Sequence, residues 1–149
     1  MISKDQVSKI ELALFIAYCF FILWYTVLSR EPTGRRIIVF ELFWSYKKWF
    51  LGEYHGQAEA IQNIENILFF IPYGFLFPSN RKKWRRVVFC AALFSVLIEL
   101  IQYTFMLGWC EVDDVISNTI GAGIGMWLFL IARNLHQKRN VQGKESEQG

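Results

Sequence analysis

The residues able to do chemistry in this chain are amides and carboxylates set at helical spacing in otherwise apolar surroundings: Asn63, Asn66, Glu99, Gln102, Asp113, Asp114 and Asn118. Asn63 and Asn66 are three apart, as are Glu99 and Gln102, and Asp114 and Asn118 are four apart, so each pair shares one helix face. Glu99 is the costliest of them, because a carboxylate deep in an apolar helix costs on the order of 3 kcal/mol to insert in a bilayer and such acids face a bundle interior or a wet cavity. It can serve as a general acid or base, bind a ligand, or act as interhelical glue to Gln102 and Asn66. Of Asp113 and Asp114, one is expected to cap a helix N-terminus, leaving the other for a headgroup, a cation or a substrate hydroxyl. The spacing matches no strong metal signature, and His55 and His136 lie apart, which argues against a histidine metal site and a Ser/His/Asp triad. No phosphate-cradling glycine loop is present, and nothing calls for a cofactor.

Positioning such groups requires elements that live in lipid. Charged residues make up 19% and apolar residues 54% of the chain, against about 25% and just under half in an ordinary soluble domain. The charges gather between long apolar runs, which distinguishes a membrane protein from a merely greasy globule. A helix needs roughly 20 apolar residues to cross about 30 Å of hydrocarbon. The pattern predicts an all-α membrane bundle of about four transmembrane helices, near residues 10–28, 64–77, 87–107 and 115–132, which together with their connections form one domain over residues 1–132. The second is short, and Pro72 removes a backbone donor within it, so a kink or partial re-entry is expected there. The first run is too long for a secretory signal core and no small-x-small site follows, which predicts a retained span.

Between the first two spans, residues 37–51 read as an amphipathic aromatic helix lying in the membrane interface, with Glu41, Ser45 and Lys48 as a narrow polar stripe. The tail from Arg133 to Gly149 is polar and reads as disordered. Cys19, Cys90 and Cys110 are odd in number and imply no disulfide framework; they read as small buried hydrophobes. Arg81, Lys82, Lys83, Arg85 and Arg86 crowd the turn between spans two and three, which places that turn, the tail and both termini in the cytoplasm. The basic residues of the first loop run against this assignment, while the loop holding Glu111, Asp113 and Asp114 suits the outer face. All three polar pairs then fall at one outer depth, and Gly121 and Gly125 extend the Asp114 face with the spacing that lets another helix approach closely, within the chain or in an oligomer. The basic clusters read as topology determinants and anionic-lipid contacts, not as a nucleic-acid surface.

The run N-I-L-F-F-I-P-Y-G from Asn66 to Gly74, then E-L-I-Q from Glu99 to Gln102, then E-V-D-D-V-I-S-N-T-I-G from Glu111 to Gly121, in this order and spacing, resembles the VanZ-like family. The resemblance covers more than a third of the chain and carries over Asn66, Pro72, Gly74, Glu99, Gln102, Asp114, Asn118 and Gly121. It implies a bacterial plasma-membrane protein of a family named for resistance to teicoplanin-type glycopeptide antibiotics. Many of its members carry an arginine just before the acidic motif, where this chain has Gly108. The expected function is glycopeptide resistance or an envelope role, through an outward-facing acid and amide cavity that meets membrane lipid headgroups, a lipid-linked cell-wall intermediate or a lipoglycopeptide. The alternatives are a membrane enzyme with Glu99 or Asp114 as acid or base on a lipid-linked substrate, and a transporter or channel subunit.

Overall fold

Long apolar runs with few helix breakers form helices wherever their backbone groups must be satisfied without water, and four long helices dominate the fold. The computed structural model describes residues 4–78 and 84–146. The order is α1 (Lys4–Leu23), prolonged by a π-helical turn at Trp24–Leu28, then β1 (Ile37–Val39), α2 (Trp44–Phe50), α3 (Tyr54–Leu76), α4 (Trp84–Phe105), β2 (Trp109–Glu111) and α5 (Val112–Ser146). Gln6–Leu28, Trp84–Phe105 and Val112–Arg139 are long and apolar enough to cross a membrane. The second expected span begins ten residues early, at Tyr54, and its first half carries Gln57, Glu59, Gln62, Asn63, Glu65 and Asn66, which dilute its hydropathy. The helix runs continuously through Pro72 to Leu76.

The packing centres on α3 against α5. A Cβ on Gly121 would collide with the Ile67 carbonyl, one on Gly125 with that of Ile71, and one on Gly74 with that of Ala122. These three glycines let the two backbones touch. The Gly121 and Gly125 face is therefore occupied by α3 of the same chain and is not open to a second copy, which corrects the expectation of an oligomer through it. Ile22, Phe70, Tyr73, Val87, Ile98 and Met126 form the buried core around this contact. Many large apolar side chains instead point outward from α1, α4 and α5, as lipid-facing helices require.

Three further departures from the sequence reading have physical causes. Residues 37–51 are not one helix: the β-branched run Ile37–Val39 pairs in parallel with Trp109–Glu111, a contact between distant segments that a helical reading excludes. In the short α2 that follows, Ser45 is fully buried and turned toward α3, so it is not part of an exposed polar stripe. The tail from Arg133 continues α5 as far as Ser146, because extending a formed helix costs little and Arg133, Leu135, Gln137, Lys138 and Arg139 favour it. The basic residues Arg81, Lys82 and Lys83 lie outside the described residues.

Candidate functional site

The acidic and amide residues collect at one end of the bundle, formed by the last turns of α4, the first turn of α5 and the middle of α3. Arg85 and Arg86 begin α4 at its opposite end, thirteen residues before Glu99, which is about 20 Å along a helix axis. Asn66 donates from α3 to Asp114 Oδ1 at 2.8 Å, and Gln62, one turn earlier, donates to Asp114 Oδ2 at 3.4 Å. Glu99 accepts a hydrogen bond from the backbone N–H of Glu111 at 3.0 Å, which ties the end of α4 to β2, and its side chain also bonds Cys110. Glu99 and Asp114 interact electrostatically across the α4 and α5 contact. Asn66 and Asp114 are thus bonded, and Glu99 lies within electrostatic reach of Asp114, so three separate helices bring these groups to one end of the bundle.

The other expected members turn elsewhere. Gln102 donates to the Thr26 carbonyl at 2.9 Å and satisfies the π-helical end of α1, so it does not bond Glu99. Asn63 donates to Ser45 at 3.1 Å and accepts from Ser117 at 3.5 Å, joining α2, α3 and α5. Asn118 donates to Ser95 at 2.7 Å and joins α5 to α4. Asp113 accepts from the Phe43 N–H at 2.9 Å and holds that residue at φ 56°, a left-handed conformation uncommon for a bulky side chain. Glu99 and Asp114 are buried, only 4% and 5% exposed, and not open to solvent as the expected wet cavity required.

Arg30 is the residue at this end that the sequence reading left out of the candidate site. Thr33 donates its N–H to the Met106 carbonyl at 2.7 Å and its hydroxyl to the same oxygen at 2.9 Å, which straps the loop after α1 across the end of α4. The strap lays Arg30 over Gly108, where an added Cβ would stand 2.9 Å from Arg30 Nη1. Its charge acts on both Glu99 and Asp114. Arg30 thus occupies the space beside Gly108, which a side chain there would take. The spacing of polar residues in the sequence did not reveal that this loop would cross the end of α4.

Glu111 and Cys110 complete this end. Trp44 donates its indole N–H to Glu111 Oε2 at 2.8 Å and stacks on Trp109 with ring centroids 5.5 Å apart. Burial pushes the Glu111 carboxyl up to about 7 against the pull of the Trp44 bond, with Asp114, Glu59 and Asp113 adding to the rise. Burial and the neighbouring Glu99 push the Cys110 thiol up to about 11, which makes it a poor nucleophile at neutral pH. No group of three or more His, Cys, Asp and Glu side chains suited to a metal ion occurs among the described residues.

Long apolar helices bound by glycine contacts, with a closed acid, amide and arginine network at one end, define a multi-pass helical membrane protein. The family profile described as VanZ/LLP1 matches residues 15–133, and the chain belongs to that family. It is 35% identical over 80 residues to a protein named Protein VanZ from Enterococcus faecium, a match that spans 51% of this chain and 49% of that protein. No solved structure gives a significant match.

Proposed function

We propose that this chain crosses the bacterial plasma membrane four times, with α3 as the fourth span, both termini in the cytoplasm and the acid and amide end at the outer leaflet. α2 then lies in the outer interface, where Trp49 and Phe50 meet the headgroup boundary. In this position the protein acts in the envelope and in resistance to teicoplanin-type glycopeptides, as the family resemblance implies. Arg30, Asn66, Glu99 and Asp114 engage the polar head of a lipid-linked cell-wall intermediate or a lipoglycopeptide. The reading is carried by the convergence of these four residues from α3, α4, α5 and the loop after α1 at the end remote from Arg85 and Arg86. Arg30 is only half-buried, so an incoming anionic group meets it before the carboxylates.

Expression in a teicoplanin-susceptible host tests the function. The wild-type chain raises the inhibitory concentration, whereas Asp114→Asn and Arg30→Gln return it to the vector level at unchanged membrane abundance. No effect of the wild-type chain overturns the proposal. For the topology, Leu51, which is 77% exposed beside α2, serves as the reporter. In a background lacking Cys19, Cys90 and Cys110, Leu51→Cys is labelled by a membrane-impermeant maleimide in intact cells; labelling only after lysis overturns the orientation.

A further inference from the structure

Asp113 and Asp114 are adjacent in sequence and serve different places. Asp114 faces α3, whereas Asp113 lines a separate pocket of about 300 Å³ between α2, α3 and α5, with Phe43, Tyr46, Ile67, Ser117 and Ile120. Asp113 is 3% exposed, and while its Oδ1 accepts from Phe43, its Oδ2 is buried with no hydrogen-bond partner. A buried carboxylate oxygen left without a donor is costly, and the acidic Glu111 lies within its electrostatic reach. Two aromatic rings, Phe43 and Tyr46, stand 6.4 Å apart in the same wall. A carboxylate acceptor beside aromatic faces is the chemistry that holds a protonated amine.

The pocket does not end at its polar head. Ile120 also lines an apolar groove of about 410 Å³ between α4 and α5, together with Trp84, Val88, Gly123, Ile124 and Trp127. Asp113, Ser117, Ile120, Ile124 and Trp127 recur at steps of three or four and so follow one face of α5, with Gly123 at its edge. From Asp113 to Trp127 that face is about 21 Å long. One leaflet of hydrocarbon is about 15 Å deep. A polar end at the helix N-terminus and a hydrocarbon track running down the helix have the shape of a lipid standing upright.

We propose that this face binds a phospholipid with a primary-amine headgroup, its ammonium donating to Asp113 Oδ2 between Phe43 and Tyr46 and an acyl chain lying past Ile120 into the Gly123 groove. The site is separate from Asp114, Glu99 and Arg30. The test is photolabelling of the full chain in phosphatidylcholine nanodiscs carrying a trace of diazirine-tailed phosphatidylethanolamine or, in parallel, equally tailed phosphatidylcholine, whose trimethylated head has no N–H to donate. The amine-headed probe labels the α5 peptide around Ile116–Trp127 about tenfold more than the trimethylated one, the worth of one charge-assisted hydrogen bond. Asp113→Asn, which replaces the acceptor by a donor, brings the amine probe down to the trimethylated level, and Ile120→Trp, a filling change at a half-exposed position, lowers both. Equal labelling of wild type by the two probes overturns the proposal, and so does amine labelling indifferent to Asp113→Asn in protein of unchanged helicity. If Asp113→Asn fails to fold, the comparison of the two probes on the wild-type chain decides alone. Susceptibility to teicoplanin is a separate readout, so either reading can fail without the other.

Discussion

Helix α3 is held on two sides by opposite means. Toward α5, it presents carbonyls of Ile67 and Ile71 to Gly121 and Gly125, with no side chain between the backbones. Toward α1, it presents Phe69 and Tyr73 to Phe15, Tyr18 and Tyr25, with ring centroids 4.6 Å apart at Tyr25 and Phe69 and 5.0 Å apart at Phe15 and Tyr73. One hydroxyl bond, from Tyr18 to the Phe69 carbonyl at 2.7 Å, fixes the second contact. Lipid tails are as apolar as any side chain, so greasy surface alone does not hold helices together in a bilayer. The α3 and α5 contact gains from close backbone approach and tolerates no added atoms, whereas rings on α1 can exchange a neighbour for a lipid tail. The polar site sits on the unyielding contact, since Asn66 adjoins Ile67 and Asp114 lies about two turns before Gly121.

Gly125→Leu has the largest expected effect on this contrast, because the new side chain has only the Ile71 carbonyl and the Phe75 N–H to displace. It costs about 4 kcal/mol or more and leaves the protein aggregated after detergent extraction, which size-exclusion chromatography reads directly. Gly123→Ala sharpens the comparison: its Cβ would meet the Trp84 ring edge at 3.2 Å, a side chain that can give, and the melting temperature stays near that of wild type.

Next comes Glu111. Its folded value near 7 exceeds its ordinary value of 4.5, so the folded state holds the extra proton between those limits and the stability it contributes, complete below about 4.5, is lost as pH rises through about 7. Glu111→Gln keeps an acceptor for Trp44 without the charge. It flattens the fall in melting temperature between pH 5 and pH 8 and stabilises the protein at pH 8 by up to about 3 kcal/mol. A variant with the wild-type pH profile would remove Glu111 from the account.

Asn63→Leu leaves Ser45 and Ser117 buried without their partner and costs about 2 kcal/mol in thermal unfolding, since the loss joins three helices at once. A smaller change is Tyr18→Phe, worth about 1 kcal/mol or less because the rings remain. Equal losses from Tyr18→Phe and Gly125→Leu would show that the two faces of α3 are not different in kind.

On the proposed function, Gly108→Val lowers resistance without breaking the fold. It moves only the far end of Arg30, so stability changes by no more than about 0.5 kcal/mol while resistance falls toward the level of Arg30→Gln.

Periodicity and hydropathy alone determined the helical class and the apolar stretches of α1, α4 and α5, because residues three and four apart share a helix face and long apolar runs satisfy their backbone groups as helices. Tertiary structure decided what depends on contacts between distant segments. The pairing of Ile37–Val39 with Trp109–Glu111 brings α2 over the site, turns Asp113 toward Phe43 while its neighbour faces Asn66, and leaves Ser45 inside. The strap on Met106 delivers Arg30 to the space over Gly108. Side-chain spacing encodes the face of a helix but not which loop will cross its end, and that crossing is where the acids acquired their separate partners.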